Sequence, residues 1–478
     1  MLEQVSGPAH AGSDSTAAGK WPLIIGAGLA SFLVYTDFFA VQVALPDMAQ
    51  DLDTTVVDLQ WVISGYMLSL ASFLIVAGRL ADILGRKTWL LLGVGLFATA
   101  SLLGGASVSA EMIIGMRLIQ GIGAAIIMPV SMAIVTNAFP AKQVQRAVGY
   151  VLAIAAVGQA SGPLLGGVFT EYLSWRWVLW VNVPVSAVAA LLIAVSVKQS
   201  YDESVGRRID WVGLVAIVAS VGVFTYGIDG AAEWGWLDPR TLGCVGAGLI
   251  ALAAFIHREN RTSTPLLDLS LFRNREFSAM TLAGAAGNMA LTVALFLSVV
   301  LLQTVDGYSP VESAYLLLAL SLGLTVSAQL AGRMERFDSR LVMSLSLVLG
   351  GAGVVGMGLL DRSIPTFLVV SVAAGLGTGM AWNFASVVTQ SIVDPAKAGS
   401  ASGAVLTILI GLGGVATAAA ASITASTTVA SDVSTAASRV LIGFGTFALL
   451  SAIPVLLWGR GRSNASTEPP PRPHRHDA

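Results

Sequence analysis

Apolar runs long enough to cross a bilayer recur along almost the whole chain, and this settles its solvent before any motif is considered. A helix rises about 1.5 Å per residue, so roughly 18 or more apolar residues span a hydrocarbon core of about 30 Å. Cutting the runs at polar, Gly or Pro boundaries gives fourteen spans near 22–46, 60–81, 88–106, 110–136, 146–170, 177–197, 210–229, 237–256, 277–304, 310–331, 341–360, 364–390, 399–427 and 438–458. Only 11% of the residues are charged, against roughly 25% in soluble domains. The fold class expected is therefore all-α transmembrane.

Composition also excludes several chemistries. A single cysteine, Cys244, rules out an internal disulfide. The four histidines, His10, His257, His474 and His476, fall in tails or a loop, so no span carries a His-based metal or acid/base cluster. No cofactor, metal or nucleic-acid partner is expected, and a membrane enzyme is disfavoured. The small-molecule reading leaves a monomer as the default.

An even number of spans puts both termini on one side. Loops on that side hold 21 Lys and Arg residues, whereas the opposite loops hold four, Arg176, Arg240, Arg362 and Arg439. By the positive-inside rule both ends are expected in the cytoplasm. Five lysines against 21 arginines, with abundant Ala and Gly, suggest a GC-rich bacterial genome and hence a bacterial cytoplasmic membrane.

Self-comparison at an offset of 254 residues reveals a repeat. "QGIGAA" at 120–125 meets "AGLGTG" at 374–379, "AVGYVLAIAAVG" at 147–158 meets the stretch beginning "ASGAVLTILIG" at 401, and "GRLADILGR" at 78–86 meets "GRMERFDSR" at 332–340. Duplicated transporters carry this signature. The expected layout is a tail (1–21), an N-terminal six-helix bundle (22–197), two inserted helices with cytoplasmic loops (198–276), a C-terminal six-helix bundle (277–459) and a second tail (460–478). At the same offset Asp37 faces Leu291 and Arg117 faces Ser371, so the intramembrane charges belong to the first half alone.

Five stretches in that half carry a resemblance: "DFFAVQVALP" at 37–46, "GRLADILGRK" at 78–87, "RLIQGIGAA" at 117–125, "GQASGPLLGG" at 158–167 and "SWRWVLWVNVP" at 174–184. Together they resemble the major facilitator superfamily and, within it, the fourteen-helix drug/proton antiporters of the multidrug efflux branch. Three positions depart from that pattern: Ile83 stands where a basic residue is common, and Phe39 and Gln42 stand where Thr and Asn are usual.

Asp37 lies nine residues before Pro46, about 13 Å deep, and Arg117 lies about 10 Å from the same face. They can meet, and a charge in hydrocarbon costs roughly 2.5–3.5 kcal/mol unless it faces a partner or water. A static ion pair is one reading. Proton coupling, in which Arg117 moves relative to Asp37 and swings its proton affinity, is the other, and the resemblance implies proton antiport with export of lipophilic drugs or antibiotics. An endogenous natural product or lipid as cargo, and an uncoupled facilitator, stay open.

The resemblance further implies a cytoplasmic latch at Gly78, Asp82, Gly85 and Arg86, with Arg146 also available to Asp82. It implies an antiporter motif at Gly158, Gly162, Pro163, Gly166 and Gly167 that seals the halves, although tight helix packing explains the same glycines. The cavity-lining spans of the family make Tyr35, Gln42, Asn288, Trp382, Asn383 and Gln390 candidate substrate contacts, each of which could equally serve helix packing.

Overall fold

A computed structural model describes residues 20–201, 210–262, 265–393, 398–425 and 430–457. Residues 1–19 and 460–478 of the expected tails lie outside the described residues, as do Arg207, Arg208 and Lys397 of the charge count.

The helices of the first half are α1 (Trp21–Asp51), α2 (Trp61–Leu84), α3 (Arg86–Gly105), α4 (Ala110–Ala138), α5 (Ala141–Tyr172), and a span in two pieces, α6 (Arg176–Trp180) and α7 (Asn182–Ser196). Then come α8 (Trp211–Trp234) and α9 (Pro239–Glu259), followed by α10 (Arg275–Val299), which runs on as one π-helical turn to Val305. The second half continues through α11 (Pro310–Met334), α12 (Ser339–Leu359), α13 (Ile364–Ser391), α14 (Ala398–Ala425) and α15 (Ala430–Leu457). Among the described residues thirteen spans qualify on length and apolarity, and the segment containing α2, bent by 50°, is the fourteenth. Helices alternate between a terminal face, where α1 begins, and a far face, where it ends.

The repeat is visible in the packing. Within the first half α1 packs on α5, α2 on α4 and α3 on α7; within the second α10 packs on α14, α11 on α13 and α12 on α15. Gly121 presses on the backbone of Tyr66, and Gly375 presses on the backbone of Leu320, so both members of the contact are displaced by 254 residues. Neither position has space for a Cβ, because the small residue lets two helices approach to backbone contact. The halves meet at two seams, α2 on α14 and α5 on α11.

Contacts across the seams gather toward the far face. Gly167 on α5 packs on Pro310 and Ala314 of α11. Glu171 accepts hydrogen bonds from Ser309 Oγ at 2.7 Å and the Val311 N–H at 2.9 Å. At the other seam Gly413 and Gly414 of α14 meet Met67 of α2.

One boundary differs from expectation, for a local reason. The first span does not stop at Pro46: α1 carries on to Asp51, with Pro46 inside the helix. A proline there removes one hydrogen bond and splays the preceding turn, and Gln303 donates to the carbonyl of Val43 in that turn at 3.0 Å. The sixth span loses one helical hydrogen bond near Val181, where Pro184 has no N–H to offer the Trp180 carbonyl four residues back, but Val181 keeps helical backbone angles and Arg176–Ser196 crosses as one span.

Helices α8 and α9 pack on each other, with Gly227 against Cys244 and Gly248 against Phe224. They are fastened to the first half. Asp229 on α8 accepts from Gln60 Nε2 at 2.5 Å and Trp61 Nε1 at 2.6 Å, and Val76 of α2 shares an apolar cluster with Leu214, Phe255 and Leu266. Helix α8 also lies on α14, so it bridges one seam.

Candidate functional site

Asp37 and Arg117 form an ion pair, each about 1% exposed. Helix α4 runs Ala110–Ala138 with Ser109 as its N-cap, accepting from the Met112 N–H at 3.3 Å. Arg117 and Gln120, three residues apart, therefore share one face. Arg117 donates through Nε to the Val62 carbonyl at 2.8 Å, and through its NH1 nitrogen to Asp37 Oδ2 and to Gln120 Oε1, the latter at 2.7 Å. Its guanidinium carbon lies 4.1 Å from the centre of the Tyr66 ring, a stacking that favours a desolvated cation.

The other carboxylate oxygen is held from α4 again and from one more helix, α7. Gln120 Nε2 donates to Asp37 Oδ1 at 2.9 Å, and Asn182 Nδ2 donates to the same oxygen at 2.8 Å. Both amides also reach Ser101 Oγ on α3, at 2.8 and 3.3 Å. Each of the polar neighbours is a donor toward Asp37, an arrangement that suits an ionised carboxylate.

The predicted latch residues lie at the terminal face. Asp82 accepts from Arg86 Nε at 2.8 Å, one helical turn apart. Gly85 joins α2 to α3 with φ +103, a conformation that disfavours any side chain. Gln199 fills the space beside it, accepting from the Lys87 N–H at 3.0 Å. Gly78 lies near Pro129 of α4. Arg146 is directed elsewhere: its Nε donates to Tyr150 Oη at 2.9 Å.

The glycines of α5 divide between two neighbours. Gly158, Gly162 and Gly166 pack on Phe32, Thr36, Phe39 and Ala40 of α1, within the same half, and Gly167 alone of the motif glycines packs on α11. Pro163 sits inside α5.

The six candidate substrate contacts are scattered. Asn288 donates to the Leu409 carbonyl at 2.7 Å and ties α10 to α14, while Asn383 donates to Ser327 Oγ at 3.1 Å and to the Gly379 carbonyl at 2.9 Å. Gln42 is 1% exposed, with its Oε1 unpartnered among the described residues. Tyr35 and Trp382 are partly buried, and Gln390 is exposed, donating to the Ser386 carbonyl.

The charge pair and amide network are set in a duplicated helical scaffold, and the sequence model of the Major Facilitator Superfamily matches residues 27–418. The chain belongs to that superfamily. Among relatives, the multidrug resistance protein Stp of Mycobacterium tuberculosis is 32% identical over 80% of this chain and 71% of its own length. The tetracenomycin C resistance and export protein of Streptomyces glaucescens is 32% identical over 80% and 69%, and the cephamycin export protein CmcT of Amycolatopsis lactamdurans 34% over 84% of each. Solved members of the superfamily fold agree in architecture. The nucleoside transporter NupG matches with TM-score 0.61 at 15% identity, over 92% of this chain and 98% of its own. A POT family transporter in complex with 5-aminolevulinic acid matches with TM-score 0.68 at 11% identity, over 91% and 95%. This facilitator is thus a multi-pass membrane transporter rather than an enzyme, and its relatives are named for drug and antibiotic resistance.

Proposed function

We propose that this chain exports lipophilic small molecules, drugs or antibiotics, in exchange for protons. It works by alternating access, from a bacterial cytoplasmic membrane with both termini in the cytoplasm, as a monomer. The observation that carries the reading is the buried Asp37–Arg117 pair, which the second half does not repeat. A titratable group inside a span is costly unless it is used, and a carboxylate beside a movable guanidinium changes proton affinity when the two separate. On this reading the far-face contacts belong to an inward-facing form with Asp37 ionised. A proton arriving from outside neutralises it in the opposite form, and release to the cytoplasm accompanies export.

The resistance and export names of the relatives support this reading. None of the six candidate substrate contacts is a carboxylate, which favours neutral or singly charged lipophilic cargo over dications. The naming of two relatives for tetracenomycin C and cephamycin export favours an endogenous natural product as a second reading of the cargo.

The test is transport of a panel of lipophilic compounds, ethidium and an aromatic polyketide among them, in inside-out vesicles. Accumulation should require an imposed proton gradient, and substrate addition should drive counter-movement of protons. Asp37→Asn should abolish both. Gradient-independent equilibration would identify a facilitator instead.

A further inference from the structure

The stretch "SWRWVLWVNVP" has no part in the ion pair, yet the structure uses nearly every polar group in it. Trp175 Nε1 donates to Asp51 at 3.0 Å, and Arg176 pairs with the same carboxylate at the far end of α1. Arg176 also donates to the Ser107 carbonyl at 3.1 Å, just past the end of α3, and Trp180 Nε1 to the Leu102 carbonyl at 3.2 Å, in the last turn of α3. Gly105 has no side chain because the Trp180 indole occupies that space. These bonds pin α6 to α1 and α3. The same span runs on through Val181, so the pinned turn fixes the position of Asn182 immediately after it.

Asn182 is 1% exposed and delivers its amide to Asp37 Oδ1 and Ser101 Oγ. Arg117 satisfies Asp37 from α4 and is bonded to α2 as well, whereas Asn182 reaches the carboxylate from the opposite oxygen by a helix anchored to α1 itself. When Arg117 moves with α4, the Asn182 amide can stay. We infer that Asn182 is a positioning residue for proton exchange. It fixes the rotamer of Asp37 and holds the carboxylate ionised until the proton arrives. This rests on proton coupling at Asp37.

The charged or titratable groups close to this carboxylate are Arg117 from α4, Tyr66 from α2 and Tyr35 from α1. At the network itself α3 and α7 contribute Ser101 and Asn182, both neutral, while the charges of α3 and α5, Arg86, Lys87, Arg146 and Glu171 among them, lie toward the helix ends. Asn182 is thus a neutral donor whose removal leaves the charge balance intact, and its effect is separable from that of Arg117. A donor to the ionised form favours that form, so its loss should strengthen proton binding roughly tenfold, the order of one hydrogen bond to a charged group.

Infrared titration of the full chain in phospholipid bilayers tests this. The carboxyl band that disappears in Asp37→Asn reports Asp37 directly. Asn182→Leu keeps the side-chain shape without the donor, and Asn182→Ala serves as a second variant. Both midpoints should move up, by about tenfold in proton affinity for the leucine variant. Lower thermal stability with an unmoved midpoint in both would overturn the inference and leave Asn182 a packing residue. If no titrating band is lost in Asp37→Asn, proton coupling at Asp37 itself fails, and this inference with it.

Discussion

Arg117 on α4 joins the Asp37 carboxylate of α1 to the Val62 carbonyl of α2, so one guanidinium ties three helices together at a buried point. A lysine presents one compact charge in place of a planar fork and cannot reproduce both bonds. Arg117→Lys should therefore abolish proton-driven transport. Arg117→Ala leaves a buried carboxylate unpaired and should cost about 3–5 kcal/mol of stability, whereas Asp37→Asn should lose transport with a smaller drop in thermal unfolding temperature.

The α5 glycines offer a paired comparison. A Cβ at Gly162 would lie 2.6 Å from the Phe39 Cβ, while at Gly149 it would meet nothing within 4 Å. Gly162→Ala should destabilise by roughly 1–3 kcal/mol through overpacking. Gly149→Ala should be neutral or stabilising by up to about 1 kcal/mol, since alanine is the better helix former. Thermal unfolding in detergent reads both.

Gly167 tests the seam rather than the bundle. A Cβ there would lie 2.6 Å from the Pro310 carbonyl and 2.7 Å from the Ala314 Cβ, across the halves. Gly167→Ala should weaken far-face closure, so cysteines placed near Val43 should react faster with a water-soluble maleimide added from the far side than in the parent.

Asp210, just before α8, accepts from Arg258 Nε at 2.8 Å and caps α8 through the Gly213 N–H at 2.9 Å. Burial alone pushes its carboxyl up, but the bonds from Arg258 and Gly213 outweigh burial and hold it below the usual carboxylate range. A depressed value contributes stability above the unfolded pKa of about 3.9 and loses it as pH falls through the folded value. Asp210→Asn should lower stability by about 1 kcal/mol at neutral pH, mostly through the weakened cap and pair. The difference from the parent should begin to shrink in melts taken below about pH 4 and vanish only below the depressed folded value.

Span count, repeat and the meeting of Asp37 with Arg117 are legible in the sequence because each follows from a long-range regularity: hydropathy, a fixed offset, and depth along a helix of known rise. The rest of the network is not. Gln120 lies three residues after Arg117, and that spacing was a usable signal for a shared face. Asn182 had none, because its reach depends on how α6 and α7 pack on α1 and α3, with α6 pinned to α3. Arg146 and Asp82 share a face of the membrane, yet side-chain direction sent Arg146 to Tyr150. Asp229 sits near a span end, where an acid reads as solvated, and only the packing of α8 on α2 turns it into an acceptor for Gln60 and Trp61.

Helix α8 lies over the join of α2 with α14, while among the described residues neither α8 nor α9 packs extensively on the join of α5 with α11. The duplicated architecture is consequently lopsided toward its solvent. Lipid tails bear directly on one join and reach the other only through a helix carried by the first half. Changes in bilayer thickness or lateral pressure therefore act on this transporter from one side.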